Sequence, residues 1–356
     1  MKIAFVVWSG EKFGGIERRY VRLACRLADE YKDGDFLIIC RKISLKSVLD
    51  VIGVKSGVKI VKIGFGEGIL FRFLDLLVLI KYIISLDVDH VHLCINPSLT
   101  TLTFSLFSRF IPPFSFSMAD TTFEVKRRCL NGFYAYFSSI SANSVDCLSL
   151  QTANTIRKYI RNKDAHKIRT APCSFTDLSK SKTSDVRDID VIYISRFVEG
   201  KGLELLDQIY GDISNINLYV CGFGPLKPMI PEEKIIQINE SFDLLSRSKI
   251  FLSIQKWNNY PSQTLLEAMS CECAIIATDV GETRKIVDDE CAVLIPYDAS
   301  ALRDAIFFLL SNPARVRELG KNARKRLLRE HTIEKTSSRF SDILFLYNLK
   351  MEKNNV

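Results

Sequence analysis

Asn259-Tyr260-Pro261-Ser262-Gln263-Thr264-Leu265-Leu266-Glu267-Ala268-Met269 is the stretch on which the reading of this chain turns. A Pro-Ser pair opens it, and an apolar run carrying one acid, Glu267, follows at helical spacing. That places the acid in the first turns of a helix. A carboxylate on such an apolar face is costly to bury unless its oxygens accept hydrogen bonds. Two vicinal sugar hydroxyls would supply the donors; a Lys or Arg partner at a domain edge is the structural alternative. Upstream, Ser195-Arg196-Phe197-Val198-Glu199-Gly200-Lys201-Gly202 sets two cations where a strand ends and a helix begins. Unpaired amides at a helix N-terminus, beside two fixed positive charges, suit a diphosphate without a metal ion. Two surface cations flanking a turn would be the plain alternative. Together the stretches describe a pocket for a nucleotide sugar.

Working outward, short β-branched runs alternate with longer amphipathic ones along most of the chain. Ile3–Trp8, Phe36–Cys40, Val58–Ile63, His90–Cys94, Phe114–Met118 and Val145–Leu150 read as strands. Gly15–Glu30, Ile69–Leu86, Leu99–Phe110 and Thr152–Arg161 read as helices between them. The polar stretch 177–188 reads as a linker. Beyond it come the strands Asp190–Ser195, Leu218–Cys221, Ile235–Ile238, Ile250–Ile254, Ala274–Ala277 and Ala292–Ile295. Helices are expected at Leu203–Ile209, Ser262–Ser270, Ala299–Leu310, Ala314–Arg329 and Ile333–Leu349. This is an α/β pattern of two doubly wound, Rossmann-like domains, residues 1–176 and 189–332. In such a pair, ligands are expected in a cleft at the carboxyl ends of the strands.

Composition narrows the classes further. At 356 residues the chain exceeds one ordinary domain, and 47% apolar with 25% charged residues is the balance of a folded globular protein. The net charge of +8 is not gathered into an aromatic-studded stripe, which argues against nucleic acid; an anionic membrane surface or phosphorylated ligands fit it. Ten scattered cysteines and four histidines offer no zinc or redox spacing, so free thiols in a reducing cytoplasm are expected and no metal or cofactor is. The most apolar region, 69–85, is broken by Arg72, Asp75 and Lys81 and is too short to span a bilayer. The Met1-Lys2 start runs straight into a strand and reads as no signal peptide.

Other motifs are weaker. Gly14-Gly15 follow the first strand and would let the backbone approach a phosphate or sugar, or simply make a tight turn. Gly222-Phe223-Gly224-Pro225 begins like a dinucleotide fingerprint, but Lys227 stands where the third glycine belongs. Arg18, Arg22 and Arg26 share a helical face that would meet a lipid phosphate, an acidic bilayer or water. Arg324, Lys325, Arg326 and Arg329 read as a solvated face.

Over about Asp190 to Glu330 the chain resembles a family 4 retaining glycosyltransferase of the GT-B fold. The resemblance is carried by Ser195-Arg196 through Gly202, by Cys221 to Pro225, by Tyr260 to Met269 and by Ala274 to Arg284. It implies that Arg196 and Lys201 hold the donor diphosphate and that Glu267 binds the ribose. It implies, too, that Asn259, Tyr260, Ser262, Gln263, Thr264 and Leu265 cradle the sugar and distal phosphate. Gly14, Gly15, Gly222 and Gly224 complete the donor set, and the last helix, within 333–356, packs back on the first domain. Three positions depart from the family pattern: Asn259 replaces a glutamate, Glu272 a glycine, and Ser117-Met118-Ala119-Asp120 lacks a histidine. Asp120 is the candidate substitute for it, with His92 second. The implied activity is transfer of a sugar from a nucleoside-diphosphate sugar to a cell-envelope glycan or lipid-linked acceptor of lipopolysaccharide, O-antigen or capsule type. Its implied place is the cytoplasm, at the inner face of the membrane; a non-catalytic nucleotide-sugar or glycan binder is the alternative.

Overall fold

The computed structural model describes residues 2–10, 15–53, 57–64, 69–119, 130–170, 175–184, 186–236, 241–258 and 262–353. The chain divides into two units, Met1–Pro172 with Ile333–Val356, and Cys173–Thr332.

The first unit holds strands β1 (Lys2–Val7), β2 (Asp35–Arg41), β3 (Lys59–Ile63), β4 (His90–Leu93), β5 (Phe114–Met118), β6 (Ser144–Cys147) and β7 (Ile168–Thr170). All pair in parallel in the order β3-β2-β1-β4-β5-β6-β7. Helices α1 (Gly15–Glu30), α2 (Leu45–Ile52), α3 (Ile69–Ser85), α4 (Leu99–Leu106), α5 (Leu130–Ser141) and α6 (Leu150–Tyr159) connect them. Alternation along β1 sorts the two faces: Ala4 and Val6 pack with α3, α4, α5 and α6, whereas Ile3, Phe5 and Val7 pack with α1, α2 and the chain's last helix.

The second unit holds β8 (Ile189–Ile194), β9 (Leu218–Cys221), β10 (Ile235–Ile236), β11 (Ser248–Ser253), β12 (Ala274–Thr278) and β13 (Ala292–Ile295), in the order β10-β9-β8-β11-β12-β13. Its helices are α7 (Leu203–Ile209), α8 (Phe242–Ser246), α9 (Gln263–Ser270), α10 (Thr283–Ile286), α11 (Ala299–Leu310) and α12 (Pro313–Glu330). One face is covered by α7 and α11, the other by α8 and α9, and α12 contributes apolar residues to both cores. The last helix, α13 (Ile333–Lys353), lies in the first unit, where Phe340, Ile343 and Leu344 pack against α1.

The polar stretch 177–188 belongs to the second unit instead of hanging as a linker. Ser181 Oγ donates to the Ser270 carbonyl at 2.6 Å and Arg187 Nη2 to that of Cys271 at 2.8 Å. A lack of apolar side chains does not hide backbone-directed donors of this kind. In α3, Asp75 turns inward and pairs with Arg41 at 3.1 Å, so the acid interrupting that apolar run is a buried ion-pair member. Among the described residues no helix is long and apolar enough to cross a membrane.

A buried polar chain runs through the first sheet. Ser115 Oγ bridges His90 Nε2 at 2.7 Å and His92 Nδ1 at 2.8 Å, and His92 Nε2 reaches Ser117 Oγ at 3.0 Å. Beside it Tyr20 donates its hydroxyl to Asp146 Oδ2 at 2.5 Å. His92 is fully buried, with the Phe340 ring edge-on at 4.8 Å, so this histidine is a core residue and no stand-in at a reacting centre. Burial pushes the His90 imidazole down to about 4 from its ordinary 6.5, and His92 well below its own. A base whose folded value is depressed contributes stability above its unfolded value, and that stability is lost as pH falls toward the folded one. Stability should therefore fall below pH 6.5 with a slope of about 1.4 kcal/mol per pH unit per histidine. Urea unfolding of W257F, followed through the remaining Trp8 of the first unit, should show a lower midpoint near pH 5 than near pH 7. Equal midpoints would mean the imidazoles are not held neutral.

Candidate functional site

In the second unit the strand order reverses between β8 and β11, which pair directly with Val191 opposite Ile250. Loops leaving the carboxyl ends of strands flanking such a reversal diverge, and the gap between them is where open α/β sheets take ligands. The loop after β8 carries Arg196 and Lys201; the chain after β11 leads into α9 and Glu267.

The two segments touch backbone to backbone. The Lys256 amide donates to the Gly200 carbonyl at 2.9 Å. Gly202, the residue before α7, has φ 93°, and a Cβ there would lie 1.8 Å from the Ile254 carbonyl oxygen. Gly200, at φ 77°, meets the Trp257 ring in the same way, 2.1 Å from an added Cβ. Both glycines are therefore favoured by positive φ, and Gly202 is required by the close approach of backbone as well. The 222–224 segment seals the other side: Phe197 donates to the Phe223 carbonyl at 2.8 Å, and Leu226 to that of Phe197 at 3.0 Å. Gly222 and Gly224 thus brace the cation loop.

Arg196 is exposed and has no acidic partner among the described residues, while Lys201 is half-buried. Burial, and then the Arg196 charge, push the Lys201 ammonium down to about 8. A cation held in this state gains from any anion that joins it.

Helix α9 starts at Gln263, with Ser262 buried just ahead of it and Gln263 and Thr264 half-buried; Leu265 faces the core. Glu267 is half-buried, and two neutral donors orient it: Ser241 Oγ at 2.5 Å on one oxygen and Gln263 Nε2 at 3.5 Å on the other. Ser241, the residue before α8, carries no sequence signal beyond its place ahead of a helix. Glu272 ends α9 in the left-handed region, φ 58°, where glycine would sit without strain, and Arg324 Nε lies 3.9 Å from its carboxylate.

Gly14, Asp120, Asn259 and Tyr260 lie outside the described residues; Gly15 opens α1 and is exposed. The cationic faces are less open than their spacing implied. Arg26 pairs with Glu30 at 2.8 Å and lies 3.8 Å from Glu334, and Arg19, off that stripe, is the buried arginine of α1, lying 5.9 Å over the Tyr20 ring. Arg324 donates to Ser181 Oγ at 3.0 Å and Arg326 pairs with Asp288, so two members of the late cluster are structural, while Arg329 and Lys325 stay exposed.

Residues 204–342 match the family described as glycosyl transferase-like. Alpha-maltose-1-phosphate synthase of Mycolicibacterium smegmatis is 25% identical over 178 residues, 41% of this chain and 46% of that protein. The match thus spans about half the length of that curated relative. Sucrose-phosphate synthase of Thermosynechococcus elongatus superimposes with a TM-score of 0.75 at 18% identity, over 99% of each chain. Alr3699/HepE of Anabaena, in complex with UDP-glucose, gives 0.75 at 14% identity, over 97% of this chain and 99% of that one. The glycosyltransferase resemblance is thereby shown in the second half of the chain, and the two-sheet GT-B fold over its length.

A loop whose lysine titrates near 8 gives a pH signature. Inorganic pyrophosphate binding should weaken as pH rises through about 8, because the free ammonium loses its proton there. In K201R, whose guanidinium stays charged, calorimetric titration should find the lysine's share of that dependence gone, leaving only pyrophosphate's own ionisation. An identical pH dependence in wild type and K201R would remove Lys201 from the anion site.

Proposed function

We propose that this protein is a retaining glycosyltransferase that moves a hexose-type sugar from a nucleoside-diphosphate sugar to a cell-envelope glycan or lipid-linked acceptor. The observation that carries the reading is the abutment of the Arg196–Lys201 loop with the segment leading to α9, at the order reversal of the second sheet. Two cations, a helix start and an oriented carboxylate converge at one sheet end, as a nucleoside diphosphate requires.

In this reading Arg196 and Lys201 hold the diphosphate and take up the charge that grows on it as the bond from the sugar's anomeric carbon to phosphate oxygen breaks. The acceptor oxygen bonds the anomeric carbon on the same face, and its proton passes to the departing phosphate oxygen. Glu267, turned by Ser241 and Gln263, accepts from the ribose hydroxyls. The amides at the start of α9, with Ser262, Gln263 and Thr264, face the sugar and distal phosphate. No metal is needed for this charge balance. The envelope acceptor, and a place on the inner membrane face, are supported by the resemblance and the net charge of +8.

R196A and K201A should each lower turnover about 100- to 1,000-fold, the cost of removing one donor aimed at developing charge. E267Q should weaken nucleoside diphosphates while leaving inorganic pyrophosphate unaffected. A thermal-shift panel of UDP, GDP, ADP and CDP selects the base, and product analysis with the matching nucleotide sugars measures transfer. Stabilisation by a nucleoside diphosphate with no transfer or hydrolysis would favour the non-catalytic binder. No stabilisation by any of the four would overturn the donor site.

A further inference from the structure

Lys201 sits in the middle of three consecutive peptide groups that are each pinned from outside the loop. The Gly200 amide donates to Glu204 Oε1 at 3.1 Å, the Gly200 carbonyl accepts from Lys256, and the Lys201 carbonyl accepts from the Tyr193 hydroxyl at 2.9 Å. The first pin depends on a second tyrosine. Tyr297, between β13 and α11, donates its hydroxyl to the same Glu204 oxygen at 2.6 Å. Glu204 and Tyr297 are 93 residues apart, and neither belongs to the motifs that marked the site.

We propose that Tyr297 and Glu204 form a clamp that fixes the backbone under Lys201, and so act as positioning residues for the anion that Arg196 and Lys201 receive. This rests on the donor-site reading above. A plain turn would need only one of these bonds. Here a carboxylate stands in the first turn of α7, directly after a loop that carries two cations, an unfavourable choice for an anion site unless it holds something in place. Burial alone would push the Glu204 carboxyl up, yet the Tyr297 hydroxyl and neighbouring amides hold it below its ordinary value, so it acts as a charged acceptor. Oxygen Oε1 takes both bonds, coupling the Tyr297 hydroxyl to the Gly200 peptide. Tyr193 grips the next peptide but one, so the backbone on both sides of the Lys201 Cα is held.

The test is calorimetric titration of wild type, Y297F, E204Q and the double variant with inorganic pyrophosphate, and with the nucleoside of whichever base the thermal-shift panel selects. Y297F and E204Q should each lose pyrophosphate affinity about ten-fold, the scale of one charge-assisted hydrogen bond, with nucleoside affinity unchanged. The double variant should lose no more than the weaker-binding single variant, because both act through one bond pair. Equal pyrophosphate affinity in all four proteins overturns the clamp and leaves the donor site standing. Parallel loss of nucleoside and pyrophosphate affinity also overturns it, since that is the mark of general loosening. If wild type binds no pyrophosphate, the donor-site reading itself falls and the clamp with it. Should Y297F fail to fold, E204Q, which keeps the side chain's shape, decides alone.

Discussion

The arrangement of this protein depends on one steric contact: the backbone at Gly202 lies against the Ile254 carbonyl so closely that no side chain fits between them. That contact forces the segments after β8 and β11 together at the one place in the second sheet where consecutive crossovers part to opposite sides. Everything chemical in the unit is arranged around it. The cations come from one segment and the acid-bearing helix from the other, and their spacing is set by packed backbone, with no long flexible side chain involved. Close-packed interiors transmit such constraints because they have no slack to absorb them.

The first unit applies the same topology with a different interior. Its central strands bury a hydrogen-bonded chain of two histidines and two serines, with Tyr20 and Asp146 alongside, where most parallel sheets carry only aliphatic side chains. Polar groups in that position are tolerated because each of these side chains makes at least one hydrogen bond, and a hydrogen-bonded chain admits fewer alternative packings than an aliphatic one. Helix α13 closes over this chain: Phe340 lies edge-on to His92 and 5.8 Å from the Tyr20 ring. The end of the sequence is thereby built into the core of its beginning.

How much of this was legible in the sequence follows from what periodicity can encode. Buried parallel strands are continuous apolar runs, and Leu218–Cys221 and Ala292–Ile295 were read to the residue for that reason, while Phe114–Met118 was read from its alternating Phe-Ser-Phe-Ser-Met pattern. The edge strand β7 has three residues with only Ile168 buried, too little to stand out, and α5 mixes serine with aromatics in a way that blurs the helical period. The cation loop was legible because its two cations and two glycines stand together in one short stretch of sequence, 196–202. Ser241 on Glu267 and Tyr297 on Glu204 were not, since each pairing is made by tertiary folding across 26 and 93 residues. The arginine stripe misled for a related reason. Spacing at every fourth residue finds the face of a helix, but which arginine is buried depends on the neighbour: Arg19 lies beside buried Tyr20, whereas Arg18 faces water.

A site for a doubly charged leaving group has to solve an electrostatic conflict before any ligand arrives. Two unit charges about 4 Å apart near a protein surface repel by about 4 kcal/mol, enough to swing a mobile lysine away from its neighbour. The lowered value of Lys201 comes first from burial and then from the Arg196 charge. Relief by an acid facing the lysine would defeat the purpose, because the resulting ion pair would have to break for each anion bound. The structure instead holds the half-buried Glu204 at the start of α7, where Tyr297 and the Gly200 amide occupy one carboxylate oxygen. Glu204 thus lends negative potential to the loop without offering that oxygen to Lys201. In the proposed reading, an incoming diphosphate relieves the repulsion between the two cations. A chain that kept both cations but released the backbone beneath them would keep the charge and lose the direction.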